Sequence, residues 1–163
     1  MPEQVSVTRE VGAPAERVWA MVSDVTRMGE WSPENEGATW TGGATGPQPG
    51  AAFRGKNRSG SRTWSTAGRV VASDPGRLFS FRITVLGLPS SEWHYRFEPT
   101  PGGCRVTETW NDQRGAVVRL LGRVATGVDH DADYTRHGME RTLEELKSAA
   151  ESGSGSPLGD SLP

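Results

Sequence analysis

The sequence has little cysteine, no long apolar run and no excess of basic residues. Its one cysteine, Cys104, cannot form an internal disulfide, which excludes a disulfide-rich scaffold and favours a reducing compartment. No apolar stretch approaches the roughly 18 to 20 residues that cross a bilayer, and the N-terminal MPEQVSVTRE lacks the profile of a signal peptide. The net charge of −2 argues against a surface that binds nucleic acid. These features predict a soluble, cytoplasmic protein.

The residues that are abundant indicate a sheet with many turns. Glycine occurs 21 times and proline 11 times in 163 residues, which is high for a helical protein. Tryptophan, with 6 copies, is as frequent as tyrosine (2) and phenylalanine (4) together. Because tryptophan is large and amphipathic, this number suggests a roomy apolar interior or a ligand surface in addition to an ordinary core.

The hydrophobic periodicity predicts one strand, two short helices, six strands and a long helix. The first strand covers 4–11, and the short helices follow Pro14 and Asp24. Six strands separated by glycine- and proline-rich turns are predicted at 37–42, 51–59, 62–73, 77–86, 91–98 and 103–111. A long helix is predicted over about 116–150, entered through a looser stretch around Gly122 to Gly127.

This order of elements predicts an α+β domain over residues 1–150. Short links make successive strands antiparallel neighbours, so seven strands would form one sheet. The C-terminal helix is the element long enough to cover that sheet, and a twisted sheet wrapped around a helix leaves a cavity where the two separate. Residues 151–163, which lack core-forming side chains, are predicted to be a flexible tail.

Four segments resemble a known superfamily. They are VSVTREVGAPAERVWAMVSDVTRMGEW at 5–31, GRVVASDPGRLFSFRI at 68–83, WHYRFEPTPGGCRVTETW at 93–110 and GMERTLEELK at 138–147. In order and spacing they are similar to the START-like helix-grip superfamily (SRPBCC), in particular its polyketide cyclase/dehydrase branch. The resemblance covers roughly residues 5 to 148 and implies a helix-grip fold with a deep cavity for a small hydrophobic or amphipathic ligand. It implies no single reaction, because members include cyclases, lipid carriers and hormone receptors.

Strand alternation identifies the side chains that would line the cavity. In 91–98, Trp93 and Tyr95 share one face, and in 103–111 the face of Val106 also carries Glu108 and Trp110. The predicted ligand-binding residues, which are aromatic, apolar or inward-facing polar residues, are Asn57, Trp64, Phe81, Trp93, Tyr95, Glu108, Trp110 and Met139.

Glu108 is the candidate catalytic residue. A carboxylate that faces an apolar cavity is unfavourable unless it has a partner, so Glu108 should have a raised pKa or a neighbouring cation. It could act as an acid, a base or a ligand-orienting group. Alternatively, it lies near the cavity mouth, solvated or paired with an arginine such as Arg136. For Asn57 the alternative is a structural hydrogen bond to a neighbouring strand or loop.

The sequence offers no cofactor signature and little support for a metal site. Asp129, His130, Asp131, Asp133 and His137 form an acidic, histidine-containing cluster, but they lack a known metal-ligand spacing. Three functions remain open: a carrier of a small hydrophobic or aromatic ligand, a polyketide cyclase or dehydratase that uses Glu108, and an interaction module whose cavity is incidental.

Overall fold

The computed structural model describes residues 3–153. Its seven strands form one antiparallel sheet in the order β1-β7-β6-β5-β4-β3-β2. The strands are β1 Gln4–Val11, β2 Asn35–Thr41, β3 Ala52–Ser59, β4 Arg62–Asp74, β5 Leu78–Val85, β6 Leu88–Thr100 and β7 Gly103–Asp112. The helices are α1 Ala15–Ser23, a 3₁₀ helix Val25–Glu30, α2 Ala116–Thr126 and α3 Ala132–Ser152. The predicted helix-grip arrangement and its α+β class are therefore confirmed.

The largest difference among the strands is at β6, which begins at Leu88 rather than at 91 and continues to Thr100. Val85 pairs with Leu88, so the chain reverses through Leu86 and Gly87 alone. Both turn residues have positive φ angles, 52° at Leu86 and 78° at Gly87. Positive φ at both central residues is the geometry of a type I′ turn, and this tight turn lets β6 begin earlier than the Gly-Leu-Pro sequence indicated.

The core lies between the inner face of the sheet and the helices α1 and α3. Helix α3 packs chiefly against β1. Met139, Leu143 and Leu146 recur at steps of three and four residues, and all three are at most 2% exposed. These three residues form an apolar stripe along α3, and this stripe is the face that covers the sheet.

The prediction of one long helix over 116–150 is wrong, because the chain forms two helices separated by residues 127–131. Gly127 ends α2 in the left-handed conformation (φ 74°), and its N–H donates to the carbonyl of Arg123 at 2.9 Å. Asp131 then starts α3, since its carboxylate accepts a hydrogen bond from the N–H of Tyr134 at 2.8 Å. A glycine C-cap followed by an aspartate N-cap interrupts the helix. Gly122, a residue of the predicted looser stretch, lies inside α2.

Replacing Gly127 with alanine is expected to lower the free energy of unfolding by about 1 kcal/mol, because a side chain in the left-handed region is strained. A Cβ at this position would also approach the Arg62 side chain to 3.0 Å. Gly122→Ala is the matched control: this helical position has nothing within 4 Å of an added Cβ, so the substitution should stabilise α2 slightly. Chemical denaturation measures both; equal effects of the two substitutions would contradict the cap assignment.

Several turns and loops lie together at one end of the sheet, which we call the open end. It contains the β3–β4 turn at 60–61, the β5–β6 turn at 86–87, the end of β7 and the loop 127–131. The backbone N–H of Gln113 donates to the carbonyl of Ser90, which joins the segment before α2 to β6 at this end.

The C-terminal end of the described chain is helical. Helix α3 continues through Ser152, two residues past the predicted domain limit. The rest of the predicted tail, 154–163, lies outside the described residues. Within 3–153 no helix is long and apolar enough to cross a membrane.

Candidate ligand-binding site

Glu108 lies in the middle of β7 and faces the interior of the protein. Because β7 is paired on both sides, Val7 of β1 and Tyr95 of β6 stand directly opposite Glu108. The residue is 2% exposed, and Trp110, two positions further on the same face, is 3% exposed. Alternation along β7 therefore places an ionisable carboxyl group among apolar side chains.

The hydrogen bonds of Glu108 satisfy only one of its carboxyl oxygens. The Tyr95 hydroxyl donates to Glu108 Oε1 at 2.7 Å. Among the buried side-chain polar atoms of residues 3–153, Glu108 Oε2 is the one without a hydrogen-bond partner. Tyr95, and not Arg136, is thus the neighbour of the carboxyl group; Arg136 is exposed. Buried polar atoms without a partner are rare in folded proteins, so the free oxygen sets Glu108 apart from the other buried polar groups.

Burial determines the protonation state of Glu108. Desolvation raises the pKa of Glu108 to about 8, although the hydrogen bond from Tyr95 lowers it in part. Burial, followed by the charge of Glu108, raises the pKa of the Tyr95 hydroxyl well above its ordinary value. Near neutral pH both groups are therefore mostly protonated, so Glu108 presents an O–H donor.

An aromatic row lies beside Glu108 on the inner face of β5, β6 and β7. Phe81 stands opposite Trp93, and Trp93 stands opposite Trp110. Phe81 is 4% exposed, whereas Trp93 is half-buried and donates its indole N–H to Ser91 Oγ at 3.0 Å. These side chains form an apolar wall whose edge at Trp93 is reachable from solvent.

Asp112 is a site residue that the sequence analysis missed. It follows Glu108 and Trp110 on the inner face, and its side chain is fully buried between Arg114 and Arg119. Arg114 donates to both carboxylate oxygens at 2.8 and 3.0 Å, and Arg119 donates to Oδ2 at 2.6 Å. Burial alone would raise the pKa of Asp112, but these hydrogen bonds and charges outweigh it and lower the pKa. The two-residue period identifies Asp112 once β7 is extended by one residue.

Arg114 connects this ion pair to its surroundings. Its guanidinium group lies 5.9 Å from the ring centre of Trp110 and donates to the carbonyl of His130 at 2.7 Å. The arginine therefore links the end of β7 to the loop between α2 and α3. This contact holds that loop at the open end of the sheet.

Asn57 and Trp64 belong to a different group of side chains from Glu108. Asn57 accepts a hydrogen bond from Asn35 Nδ2 and donates one to Thr66 Oγ1, both at 3.3 Å. These bonds correspond to the structural alternative that the sequence left open for Asn57. Trp64 packs edge-to-face against the His130 ring at 5.8 Å. In the order of the sheet, β4 and β3 are three and four strands from β7.

His130 is the centre of this second group. Its Nε2 lies 3.1 Å from Glu34 Oε1, and the Tyr134 hydroxyl donates to the same oxygen. Burial, and then the hydrogen bond and charge of Glu34, raise the pKa of Tyr134 to about 12. The acidic cluster seen in the sequence is distributed among other roles, since Asp129 pairs with Arg123 and Asp131 caps α3. Within 3–153 no three potential metal ligands come together.

Met139 is a core residue, and a separate open groove lies at the opposite end of the sheet. Met139 is 2% exposed and belongs to the core of α3. An open groove of about 570 Å³ lies at the other end of the sheet, along the ends of β1, β6 and α3, and includes Gly12 and Lys147. It contains none of the predicted site residues, and its charged rim does not suit an apolar ligand. Cys104, near that end, is fully buried, and burial raises the pKa of its thiol.

The architecture and the inward-facing carboxyl group define the class of protein: a helix-grip domain with an aromatic, sparsely polar interior. Residues 2–151 match the family described as "Polyketide cyclase / dehydrase and lipid transport", and the chain belongs to this family. The family assignment covers nearly the whole described chain, so the resemblance noted in the sequence is confirmed.

Solved structures agree with this fold. The Polyketide_cyc-like protein Cgl2372 from Corynebacterium glutamicum is 28% identical, with 95% of each chain covered and a TM-score of 0.64. The di-domain ARO/CYC StfQ from the steffimycin biosynthetic pathway is 16% identical, with a TM-score of 0.71; the match covers 95% of this chain and 52% of StfQ. Ara h 8.0201 is 13% identical over 93% of this chain and 99% of its own, with a TM-score of 0.69. No curated protein matches the sequence.

Proposed function

We propose that this protein binds a small hydrophobic or aromatic ligand against the inner face of β5, β6 and β7. The observation that carries the proposal is Glu108 Oε2, a buried polar atom without a partner beside an aromatic wall. A ligand that supplies the missing hydrogen bond would remove the cost of this unsatisfied group. Membership in a family described by cyclases and lipid transport supports the same function.

The protonation state of Glu108 restricts the chemistry of the ligand. The Tyr95 hydroxyl is already bonded to Oε1, so the free group is the acid O–H at Oε2, which needs an acceptor. A carbonyl or hydroxyl oxygen on an aromatic or alicyclic ring would accept this hydrogen bond. A ligand carboxylate would need to lose its own hydration in an apolar site, where Tyr95 and Glu108 supply no cation. The proposed ligand is thus a neutral, carbonyl-bearing hydrophobic molecule.

Two measurements test the proposal. Native mass spectrometry of the protein purified from its own host should detect a retained small molecule. Titration with prodan, a fluorescent naphthyl ketone, then measures affinity as a function of pH. We expect the wild-type protein to bind prodan less tightly as the pH rises through about 8, since ionised Glu108 cannot donate. Quenching of tryptophan emission that is lost in Trp110→Phe would place the probe beside the aromatic row.

Glu108→Gln and Glu98→Gln form a matched pair for this titration. Glutamine at 108 keeps an N–H donor but cannot ionise, so its prodan affinity should not change with pH. Glu98 lies on the exposed face of β6, and Glu98→Gln should behave like the wild-type protein. Equal, negligible effects of the two substitutions would contradict the placement of the ligand at Glu108.

A second candidate function is that of a polyketide cyclase or dehydratase in which Glu108 is the acid or base. It is favoured by one observation: a carboxyl group with a pKa of about 8 can donate or accept a proton near neutral pH. In a dehydration, the Glu108 O–H would protonate the departing β-hydroxyl group as its C–O bond breaks, and water would leave. The adjacent C–H bond would supply the electrons of the new C=C bond, and its proton would pass to the Glu108 carboxylate, which restores the acid. Turnover of a poly-β-ketone substrate, followed by mass spectrometry, separates the two functions. An enzyme would lose turnover in Glu108→Gln and still bind prodan, whereas a carrier would show no turnover at any pH.

A further inference from the structure

Helix α2 exposes an apolar stripe to solvent. Val117, Leu120, Leu121 and Val124 are 68%, 62%, 55% and 65% exposed. Their spacing of three and four residues places them on one side of the helix. The opposite side, with the half-buried Val118 and the buried Thr126, is the one that faces the protein. A helix that turns its larger aliphatic side chains away from the core needs a partner other than this core.

The β5–β6 turn adds a second apolar protrusion at the same end of the sheet. Leu86 is 92% exposed and has a φ of 52°, a conformation that is unfavourable for a leucine. Leu88 is 47% exposed. The bond from Gln113 N–H to the carbonyl of Ser90 joins the segment that leads into α2 to the strand leaving this turn. The turn and the start of α2 therefore lie at the same end of the sheet.

Arginines outnumber carboxylates on α2 and in the segments next to it. Residues 114–126 contain three arginines and no acidic residue. Arg114 and Arg119 share the single carboxylate of Asp112, which leaves one positive charge in excess. Arg62 adds a further cation, since its guanidinium group donates to the carbonyl of Val124. The following loop carries two carboxylates: Asp129 pairs with Arg123 and offsets its charge, and Asp131 caps α3.

We propose that the open end docks on an anionic membrane surface, with the aliphatic side chains of α2 and of the β5–β6 turn inserted among the lipids. A short helix with an aliphatic stripe and arginines as its only charges has the pattern of an interfacial helix. Anionic headgroups complement the excess of arginine. A second copy of the chain is a poorer occupant, because stripe-to-stripe packing would bring two sets of the same arginines together. The docking does not depend on Glu108 or on the identity of the ligand.

Vesicle sedimentation of the full chain tests this surface. The probes are vesicles of phosphatidylcholine alone and of phosphatidylcholine with about 30% phosphatidylglycerol. The wild-type protein should sediment with the anionic vesicles, less with the neutral ones, and less again at high salt. Leu120→Gln/Leu121→Gln should lower the partition coefficient roughly tenfold or more, since it removes two inserted side chains. Arg123→Gln should lower it about fivefold.

The controls keep the outcome unambiguous. Glutamine is as good a helix former as leucine, so an unchanged melting temperature of the double variant excludes misfolding. Val71→Gln, at an exposed apolar position on β4 away from the open end, should bind like the wild-type protein. Absence of wild-type binding to anionic vesicles, or equal binding by the double variant, would overturn the proposal. So would a concentration-dependent dimer in sedimentation velocity that Leu120→Gln/Leu121→Gln abolishes, because the stripe would then join two copies.

Discussion

Replacing Glu108 with glutamine is expected to remove the loss of stability that the wild-type protein undergoes as the pH rises from about 4.5 to about 8. Burial raises the pKa of Glu108 from 4.5 to about 8, so the folded state holds this proton more tightly than the unfolded state. The resulting stability is complete below about pH 4.5 and is lost progressively as the pH rises through about 8. One pKa unit corresponds to about 1.4 kcal/mol, so the loss amounts to several kcal/mol.

Denaturant unfolding at a series of pH values measures this effect as a difference between two proteins. The free energy of unfolding of Glu108→Gln should fall less steeply with pH than that of the wild-type protein, and above pH 8 the variant should be the more stable of the two. Contributions from other titrating groups cancel in the difference. Glu98→Gln, on the exposed face of β6, should follow the wild-type curve. Parallel curves for wild type and Glu108→Gln would refute the assignment of a buried, protonated Glu108.

Leu143→Ala is expected to lower the free energy of unfolding by about 2 to 5 kcal/mol. Leu143 is 1% exposed and lies in the middle of the α3 stripe that covers the sheet, between Met139 and Leu146. Truncation there removes apolar contacts and leaves a cavity that neighbouring side chains in a packed core fill only in part. Thermal or urea denaturation followed by circular dichroism measures the change.

The control for this substitution lies two positions further along the same helix. Glu145 is exposed, and Glu145→Ala removes a side chain of similar size without opening a cavity. Its effect should stay within about 0.5 kcal/mol, as is usual for surface positions. If Leu143→Ala were equally mild, the buried face of α3 would have been misassigned.

The fold could be predicted from the sequence because its signals are local and mutually consistent. Glycine- and proline-rich turns divide the chain into strands, and the alternation in β7 already placed Glu108 and Trp110 on one face. The prediction of one helix over 116–150 was wrong for a local reason as well. The left-handed conformation of Gly127 and the capping bond of Asp131 stop the chain from continuing as one helix, although apolar residues continue at helical spacing.

The candidate site could be predicted from the sequence only in part. Periodicity determined that a carboxyl group and aromatic rings face inward, since a two-residue period assigns every side chain of a strand once one is fixed. Only the tertiary structure decided their partners, because strand pairing brings together residues that are distant in sequence. Tyr95 reaches Glu108 across β6 and β7, and His130 reaches Glu34 over 96 positions of sequence. Packing likewise decided that the α2 stripe is exposed. An apolar helix face has the same sequence pattern whether or not the core covers it.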